Sequence, residues 1–332
     1  MSSISSSYRV QYDMRPAKQV ERRMIIDALQ RLGAAGFPVA DYQYTGFGAI
    51  YFVDFILLHK LLGLSKLLSL EQEESLTSRM KFNRPFSCIE IKMVPASSEI
   101  PNLSRDIHHI VWLDYDGVLQ RDFLSDIQSA ITVLPAGSIL LVTVDVEPPE
   151  DHDYTIVDTH FDSSKEVLGP KHWKRYFEYH ASSYLKLGLS EADFGKSELI
   201  LRSTEILKAA FTKSIVARPE LQFLPMFNFA YRDSHSMLTM GGMIAGRAEK
   251  RQLRASNIGE TVYYRGDFDS LPFEIKVPRL TRKERVYLDR KCPVRMPGCL
   301  AISIWIRSRS DIIGTFTDFY PHSQKYCFRD GP

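Results

Sequence analysis

Residues 110–119 read IVWLDYDGVL, and this stretch decides which fold the sequence encodes. Four apolar residues lead directly into Asp114, Tyr115, Asp116 and Gly117. An apolar run of this kind is typical of a strand that is buried on both faces of a parallel sheet. Because a carboxylate is costly to bury without a partner, two acids at the end of such a strand predict a cleft in which they meet a ligand.

The segments around this strand alternate between strand and helix patterns. We predict strands within residues 41–50, 66–74, 86–94, 108–117 and 135–150, with helices within 51–64, 75–83 and 119–134. Regular alternation of this kind indicates a parallel sheet with helices on both faces. Upstream, residues 16–32 predict an amphipathic helix that begins near Pro16, because apolar residues recur there at helical spacing.

The pattern along the chain also predicts its organisation. We expect an N-terminal helix (1–39), a Rossmann-like core (40–150), a helical insertion (151–218), a closing hairpin of the core (219–246) and a basic C-terminal extension (247–332). The hairpin is predicted because two aromatic and apolar runs flank the short polar segment RDSHS.

Composition sets the broad class of protein. The 332 residues are 44% hydrophobic and 25% charged, which is typical of a globular protein, and the formal net charge is only +2. That charge gives no whole-molecule reason to expect nucleic acid, which stays possible but not favoured, or an anionic membrane as a partner. The four cysteines form no CxxC pair, so we expect neither a zinc knuckle nor a disulfide scaffold. No signal-peptide pattern or uninterrupted apolar span is present, so we expect a soluble, cytoplasmic protein.

The first strand runs into a glycine turn, YTGFGAI, which begins at Tyr44. Gly46 and Gly48 lie between this strand and the next helix, where glycine lets the backbone approach a nucleotide closely. Glu71 ends the second strand, 23 positions after Gly48 (71 − 48). An acid at about this interval accepts hydrogen bonds from ribose hydroxyls in dinucleotide-binding folds.

The order of these parts resembles the class I S-adenosylmethionine-dependent methyltransferases over about residues 40–246. The resemblance implies a mostly parallel Rossmann-like sheet that ends in an antiparallel hairpin, with S-adenosylmethionine as cofactor and an unidentified methyl acceptor, modified on oxygen or nitrogen. Two positions depart from the family pattern: Tyr44 stands where an acid commonly precedes the glycines, and Ile50 replaces the usual third glycine.

The resemblance implies a set of site residues. The cofactor would contact the glycine turn, the ribose-binding acid, the segment after strand three and the end of strand four: Thr45, Gly46, Phe47, Gly48, Glu71, Ser97, Ser98, Asp114 and Tyr115. Asp114 and Asp116 are the candidate catalytic carboxylates, and no metal ligands are assigned. Candidate substrate contacts lie on the first helix and in the hairpin connection: Arg15, Lys18, Asp233 and His235. For Arg15, Lys18 and Arg22, which share one helix face, a solvated surface is the default expectation.

Two other interpretations stay open. The stretch IVWLDYDGVL also resembles the first motif of the haloacid dehalogenase-like phosphatases, with Asp114 as nucleophile, Asp116 as acid and base, and Thr143 in the second motif. Their nucleophile strand normally comes near the start of the fold, however, whereas three predicted strands precede this one. The remaining alternative is a non-catalytic binding protein with a methyltransferase fold.

Overall fold

The computed structural model describes residues 15–277 and, beyond them, Lys283. Its centre is an eight-stranded sheet in the order β3-β2-β1-β4-β5-β7-β6-β8. The strands are β1 (Gln43–Gly46), β2 (Lys66–Leu70), β3 (Ile89–Lys92), β4 (His109–Val118), β5 (Ile139–Asp145), β6 (Gln222–Arg232), β7 (Ser236–Ala245) and β8 (Phe273–Ile275).

Strands β1 to β5 are parallel, whereas β7 pairs antiparallel with both β5 and β6. Strand β8 adds a parallel partner to the outer side of β6. This arrangement confirms the expected methyltransferase-type sheet with a closing hairpin. The topology reverses between β1 and β4, and open α/β sheets bind their ligands beside the carboxyl ends of strands at such a point.

Helices cover both faces of the sheet. They are α1 (Pro16–Ala34), α2 (Val53–Leu62), α3 (Thr77–Asn83), α4 (Ala96–Glu99), α5 (Arg121–Val133), α6 (Asp151–Tyr154), α7 (Pro170–Ala181), α8 (Leu199–Ile215) and α9 (Arg247–Ala255). None of the helices within 15–277 is long and apolar enough to cross a membrane.

Two hydrophobic cores form, one on each face, because alternate residues of a strand point to opposite sides. On β4, Ile110 and Trp112 join the core under α1 and α2, whereas Val111 and Leu113 join the core under α5 and α8. Every residue of β5 is buried, as its continuous apolar run predicts.

Helix α8 packs against α5 and against both strands of the closing hairpin. It therefore belongs to the layer that covers the sheet, although it lies in the segment expected to be an insertion. The division into five segments stays a prediction, and most of the basic extension lies outside the described residues.

The first helix begins at Pro16, as predicted, and is anchored by the hairpin connection. The two side-chain oxygens of Asp233 accept hydrogen bonds from the backbone N–H groups of Ala17 (3.0 Å) and Lys18 (3.1 Å). First-turn N–H groups have no partner within their own helix, so an acid from elsewhere can stabilise them. This contact holds the N-terminal end of α1 beside the closing hairpin.

Strand β4 extends through Val118, with irregular pairing to β5 between Asp114 and Val118. The segment Asp114–Gly117 therefore continues the strand and does not form the N-cap of the next helix, which is Gln120. Because the pairing is irregular here, the side chains of consecutive residues in this segment lie together at the end of the strand.

Candidate functional site

A cavity of about 510 Å³ lies at the carboxyl ends of β1, β2 and β4. Most of its walls come from the glycine turn, the end of β2, the segment before α4, the end of β4 and helix α5. Residues that the sequence singled out and that line it are Phe47, Gly48, Glu71, Ser97, Asp114, Tyr115 and Asp116. The predicted cleft at the end of IVWLDYDGVL is therefore present.

The turn after β1 requires glycine at position 48. A Cβ atom added there would lie 2.4 Å from the Ser69 hydroxyl oxygen, which accepts a hydrogen bond of 3.2 Å from the Gly48 N–H group. The turn then passes through Ala49 and Phe52, which have φ values of 43° and 51°. Ile50, in place of a third glycine, is buried in the core and does not line the cavity.

The other departure from the family pattern, Tyr44, lies beneath this turn. It is almost fully buried, and a Cβ atom at Gly46 would lie 2.6 Å from its hydroxyl oxygen. Burial, together with the nearby carboxylates of Asp54 and Asp114, raises the pKa of Tyr44 well above its ordinary value. Tyr44 is therefore a neutral group that fills the space under the turn, where other members of the fold commonly carry an acid.

Glu71 stands at the end of β2 with its carboxylate held in place. Its Oε1 atom accepts hydrogen bonds from the backbone N–H groups of Gln72 (2.8 Å) and Glu73 (3.0 Å). Both bonds use the same oxygen, so Oε2 retains acceptor capacity for a ligand in the cavity. Burial raises the pKa of Glu71, and the two backbone hydrogen bonds offset only part of this effect.

Aromatic rings form one wall of the cavity. Tyr115 stacks on Phe123 with ring centroids 3.7 Å apart and lies 5.3 Å from Phe47. The Tyr115 hydroxyl donates to Asp126 Oδ2 at 2.7 Å, whereas Asp126 Oδ1 is buried without a hydrogen-bond partner within 15–277. This wall combines flat apolar surface with an acceptor that lacks a donor.

Helix α1 contributes a buried lysine behind the end of β4. The Lys18 ammonium lies 2.6 Å from Asp114 Oδ1, 2.8 Å from Glu21 Oε2 and 4.4 Å from the centre of the Trp112 ring. Lys18 and Glu21 are 1% and 0% exposed, whereas the Asp114 side chain is 18% exposed. The default expectation of a solvated charged face on this helix is therefore wrong for Lys18.

Arg22, one turn further along α1, is also buried and forms an ion pair with Asp54 of α2. Both residues line the cavity. Arg22 thus places a positive charge, and Asp54 and Asp114 place negative charges, along one side of the cavity, so that side can meet both a cationic and an anionic group of a ligand.

The sequence matches the family Methyltransf_35, described as "Putative O-methyltransferase", over residues 10–327. The chain belongs to this family. No curated protein matches the sequence.

Solved structures match parts of this chain at low identity and low TM-score. The Trm1 protein of Pyrococcus horikoshii, in complex with S-adenosyl-L-methionine, is 14% identical with a TM-score of 0.42; the match covers 73% of this chain and 58% of that chain. The fibrillarin pre-rRNA processing protein of Methanococcus jannaschii is 11% identical with a TM-score of 0.33, over 63% and 68%. This chain therefore spans less than two thirds of the Trm1 chain.

Membership of the Methyltransf_35 family and the strand order both weigh against the phosphatase interpretation. Asp114 lies on the fourth strand, not the first, and one of its oxygens is bound by Lys18. Thr143 is fully buried and bonds to Trp112 Nε1 (3.0 Å) and Thr239 Oγ1 (2.7 Å), away from the cavity. Within residues 15–277, no cluster of three metal-ligating side chains is present.

Several predicted site residues do not reach the cavity. Thr45 is buried, Gly46 packs against Tyr44, and the exposed Ser98 donates to the Pro95 carbonyl oxygen at 2.9 Å. Lys18 meets the site only through Asp114. The remaining substrate candidates, Arg15, Asp233 and His235, do not line the cavity either; Asp233 anchors α1, and His235 lies 3.0 Å from Asp145.

Sequence reasoning missed several polar and aromatic residues of the site: Glu21, Asp54, Phe123 and Asp126. Asp54, Asp126 and Glu21 lie on helices, where an acid normally faces water. Their spacing offered one usable signal, because each shares a helix face with buried apolar neighbours such as Leu58, Ala130 and Met24. An acid within an apolar helix face indicates a buried partner.

Proposed function

We propose that this protein transfers a methyl group from S-adenosylmethionine to a hydroxyl oxygen of its acceptor. One observation carries the proposal: a single cavity at the topological reversal of the sheet contains the close glycine turn, the fixed Glu71 carboxylate and the Asp114–Asp116 pair. Membership of a family described by O-methylation favours oxygen over nitrogen as the methylated atom.

The residues present fit the cofactor. A volume of about 510 Å³ suits a ligand of nucleoside size, since small-molecule sites span roughly 300–1,000 Å³. Glu71 would accept hydrogen bonds from the ribose hydroxyls, and the Phe47–Tyr115–Phe123 wall would contact the adenine ring. Asp126 Oδ1 would supply a buried acceptor for the adenine amino group, and Arg22 with Asp54 would offer partners for the amino acid end.

The protein's own contribution to the reaction would be positioning and proton removal. Bound S-adenosylmethionine supplies an activated methyl carbon, and the acceptor oxygen gains this carbon while its hydroxyl loses a proton. Lys18 holds Oδ1 of Asp114, so Oδ2 would accept the acceptor's hydroxyl hydrogen and orient the oxygen. Asp116, which is exposed, would pass the proton on to solvent.

Calorimetric titration with S-adenosylhomocysteine tests the cofactor site. We expect micromolar binding to the wild-type protein and at least tenfold weaker binding to Glu71→Ala, because one acceptor for the ribose is lost. Glu74→Ala is the matched control, since Glu74 is an exposed acid in the same loop. Absence of binding at millimolar ligand, or equal weakening by both variants, would contradict the proposed site.

The reaction itself is tested by incubating the protein with S-adenosylmethionine and paired acceptors that carry either a hydroxyl or an amino group on the same scaffold. We expect S-adenosylhomocysteine to form with a hydroxyl acceptor only, and Asp114→Asn to slow its formation by about 100-fold. Cofactor binding without turnover on any acceptor would instead favour the non-catalytic alternative.

A further inference from the structure

Five ionisable side chains lie in one buried group beside the cavity. Lys18 contacts both Glu21 and Asp114, and the neighbouring Arg22 pairs with Asp54. Each of the five side chains is at most 18% exposed. Two cations and three carboxylates leave this charge cluster (Lys18, Glu21, Arg22, Asp54, Asp114) with one net negative charge when all its members are ionised.

Glu21 is the least compensated member of the charge cluster. It is fully buried and shares the Lys18 ammonium with Asp114, which lies at the shorter distance. The groups that face it are Lys18 and Arg22 of α1, Asp114 of β4, Tyr231 of β6 and the Thr239 hydroxyl of β7. The Lys18 ammonium, 2.8 Å from Oε2, and the Thr239 hydroxyl both favour the ionised carboxylate, but within residues 15–277 neither Glu21 oxygen has a hydrogen bond of favourable angle.

An unbalanced buried charge must be relieved in one of two ways. Either the carboxyl group takes up a proton, or a cation binds nearby. Burial raises the pKa of Glu21, and the attraction of Lys18 offsets this only in part, so protonation is accessible in the free protein. A cation in the cavity would restore the ionised form, because Asp54 and Asp114 connect the cluster to the cavity wall.

The methyl donor and its product differ in net charge. S-adenosylmethionine carries a sulfonium cation and has a net charge of +1, whereas S-adenosylhomocysteine has a neutral thioether and no net charge. We propose that Glu21 makes the site select its cofactor by charge, so that the donor binds more tightly than the product and Glu21 releases a proton to solvent as the donor binds. The proposal rests on the methyltransferase function above, and it gives the site a means of expelling its product.

Calorimetric titrations with both ligands, each at pH 6.5 in two buffers of different ionisation enthalpy, test this inference. In the wild-type protein we expect tighter binding of S-adenosylmethionine, accompanied by more proton release than S-adenosylhomocysteine causes. In Glu21→Gln the affinity ratio of donor to product should fall by roughly tenfold, because one buried charge near the cation is removed. The difference in proton release should also disappear.

Asp27→Asn is the matched control on the same helix. Asp27 is buried and bonds to Arg31 and Tyr263, and it does not line the cavity, so its replacement should leave the affinity ratio unchanged. An unchanged ratio and unchanged proton release in Glu21→Gln would overturn the inference while leaving the methyltransferase function intact. Failure of the wild-type protein to bind either ligand would overturn both. The wild-type proton measurement needs no variant, so equal proton release with both ligands would overturn the inference even if Glu21→Gln folds poorly.

Discussion

At the scale of single residues, the atoms packed around Gly48 leave no room for a side chain at this position. An added methyl group would meet both Ser69 and the Phe52 ring, at 2.4 and 2.8 Å, and would displace the backbone that lines the cavity. We expect Gly48→Ala to lose about 1–3 kcal/mol of folding free energy, as in other overpacked sites, and to weaken S-adenosylhomocysteine binding at least tenfold. Urea denaturation and calorimetry measure the two effects.

Gly33→Ala provides the contrast for this substitution. Gly33 lies in the last turns of α1, and a Cβ atom there would meet nothing within 4 Å. Alanine is favoured over glycine in helices by about 1 kcal/mol, so Gly33→Ala should raise stability by up to that amount and leave binding unchanged. Equal loss of binding in both variants would contradict the role assigned to the Gly48 turn.

The ionisation of Glu71 predicts a pH dependence for cofactor binding. Ribose hydroxyls donate hydrogen bonds more strongly to a carboxylate than to a carboxylic acid. Because burial raises the pKa of Glu71, affinity for S-adenosylhomocysteine should be full at neutral pH and should decline on acidification, starting at a higher pH than for an exposed glutamate. Calorimetry between pH 5 and 8 measures this decline, and Glu71→Gln should flatten it. If affinity still declines on acidification in Glu71→Gln, a group other than Glu71 causes the decline.

At the scale of elements, the sheet could be predicted from the sequence far better than the placement of α1. The structures of apolar runs such as SILLVTV and of the glycine turn are determined by residues only a few positions apart in the sequence. Burial of Lys18 and Arg22 depends instead on Asp114 and Asp54, which are 96 and 32 positions away. No local pattern separates such a buried charge from a solvated one. For the same reason, the sequence did not identify Glu21 and Asp126 as buried residues of the site.

Helix α1 reaches the site because the hairpin connection holds its first turn. Asp233→Ala removes the acceptor of two backbone N–H groups, which should cost about 1–2 kcal/mol of folding free energy. Since α1 also carries Arg22 to the cavity wall, binding of S-adenosylhomocysteine should weaken as well. Urea denaturation and calorimetry check both, with Ser234→Ala, an exposed neighbour in the same connection, as a control that changes neither.

At the scale of the whole molecule, the stability of the fold at low pH depends on carboxyl groups whose pKa values are shifted in opposite directions by folding. Partial burial acts to raise the pKa of Glu147, but hydrogen bonds from Ser236 and the ion pair with Lys196 outweigh it and lower the pKa to about 2. Such a group stabilises the fold above its ordinary pKa and loses that effect as the pH falls toward 2. Glu21 behaves in the opposite way, because its pKa is raised.

The charge cluster therefore lowers the free energy of unfolding, and urea denaturation of the whole protein can detect this. A carboxyl group with a raised pKa in the folded state destabilises the fold once the pH exceeds its ordinary value near 4.5, and increasingly so up to the folded-state pKa. Glu21→Gln should thus raise the free energy of unfolding at pH 7.5 by about 1 kcal/mol or more, with a smaller gain, or none, at pH 4.5, provided that Lys18 keeps Asp114 as its partner. Urea denaturation at both pH values measures the difference. A variant that is less stable at pH 7.5 than at pH 4.5, relative to wild type, would show that the ion pair with Lys18 outweighs burial and that Glu21 is ionised without any ligand.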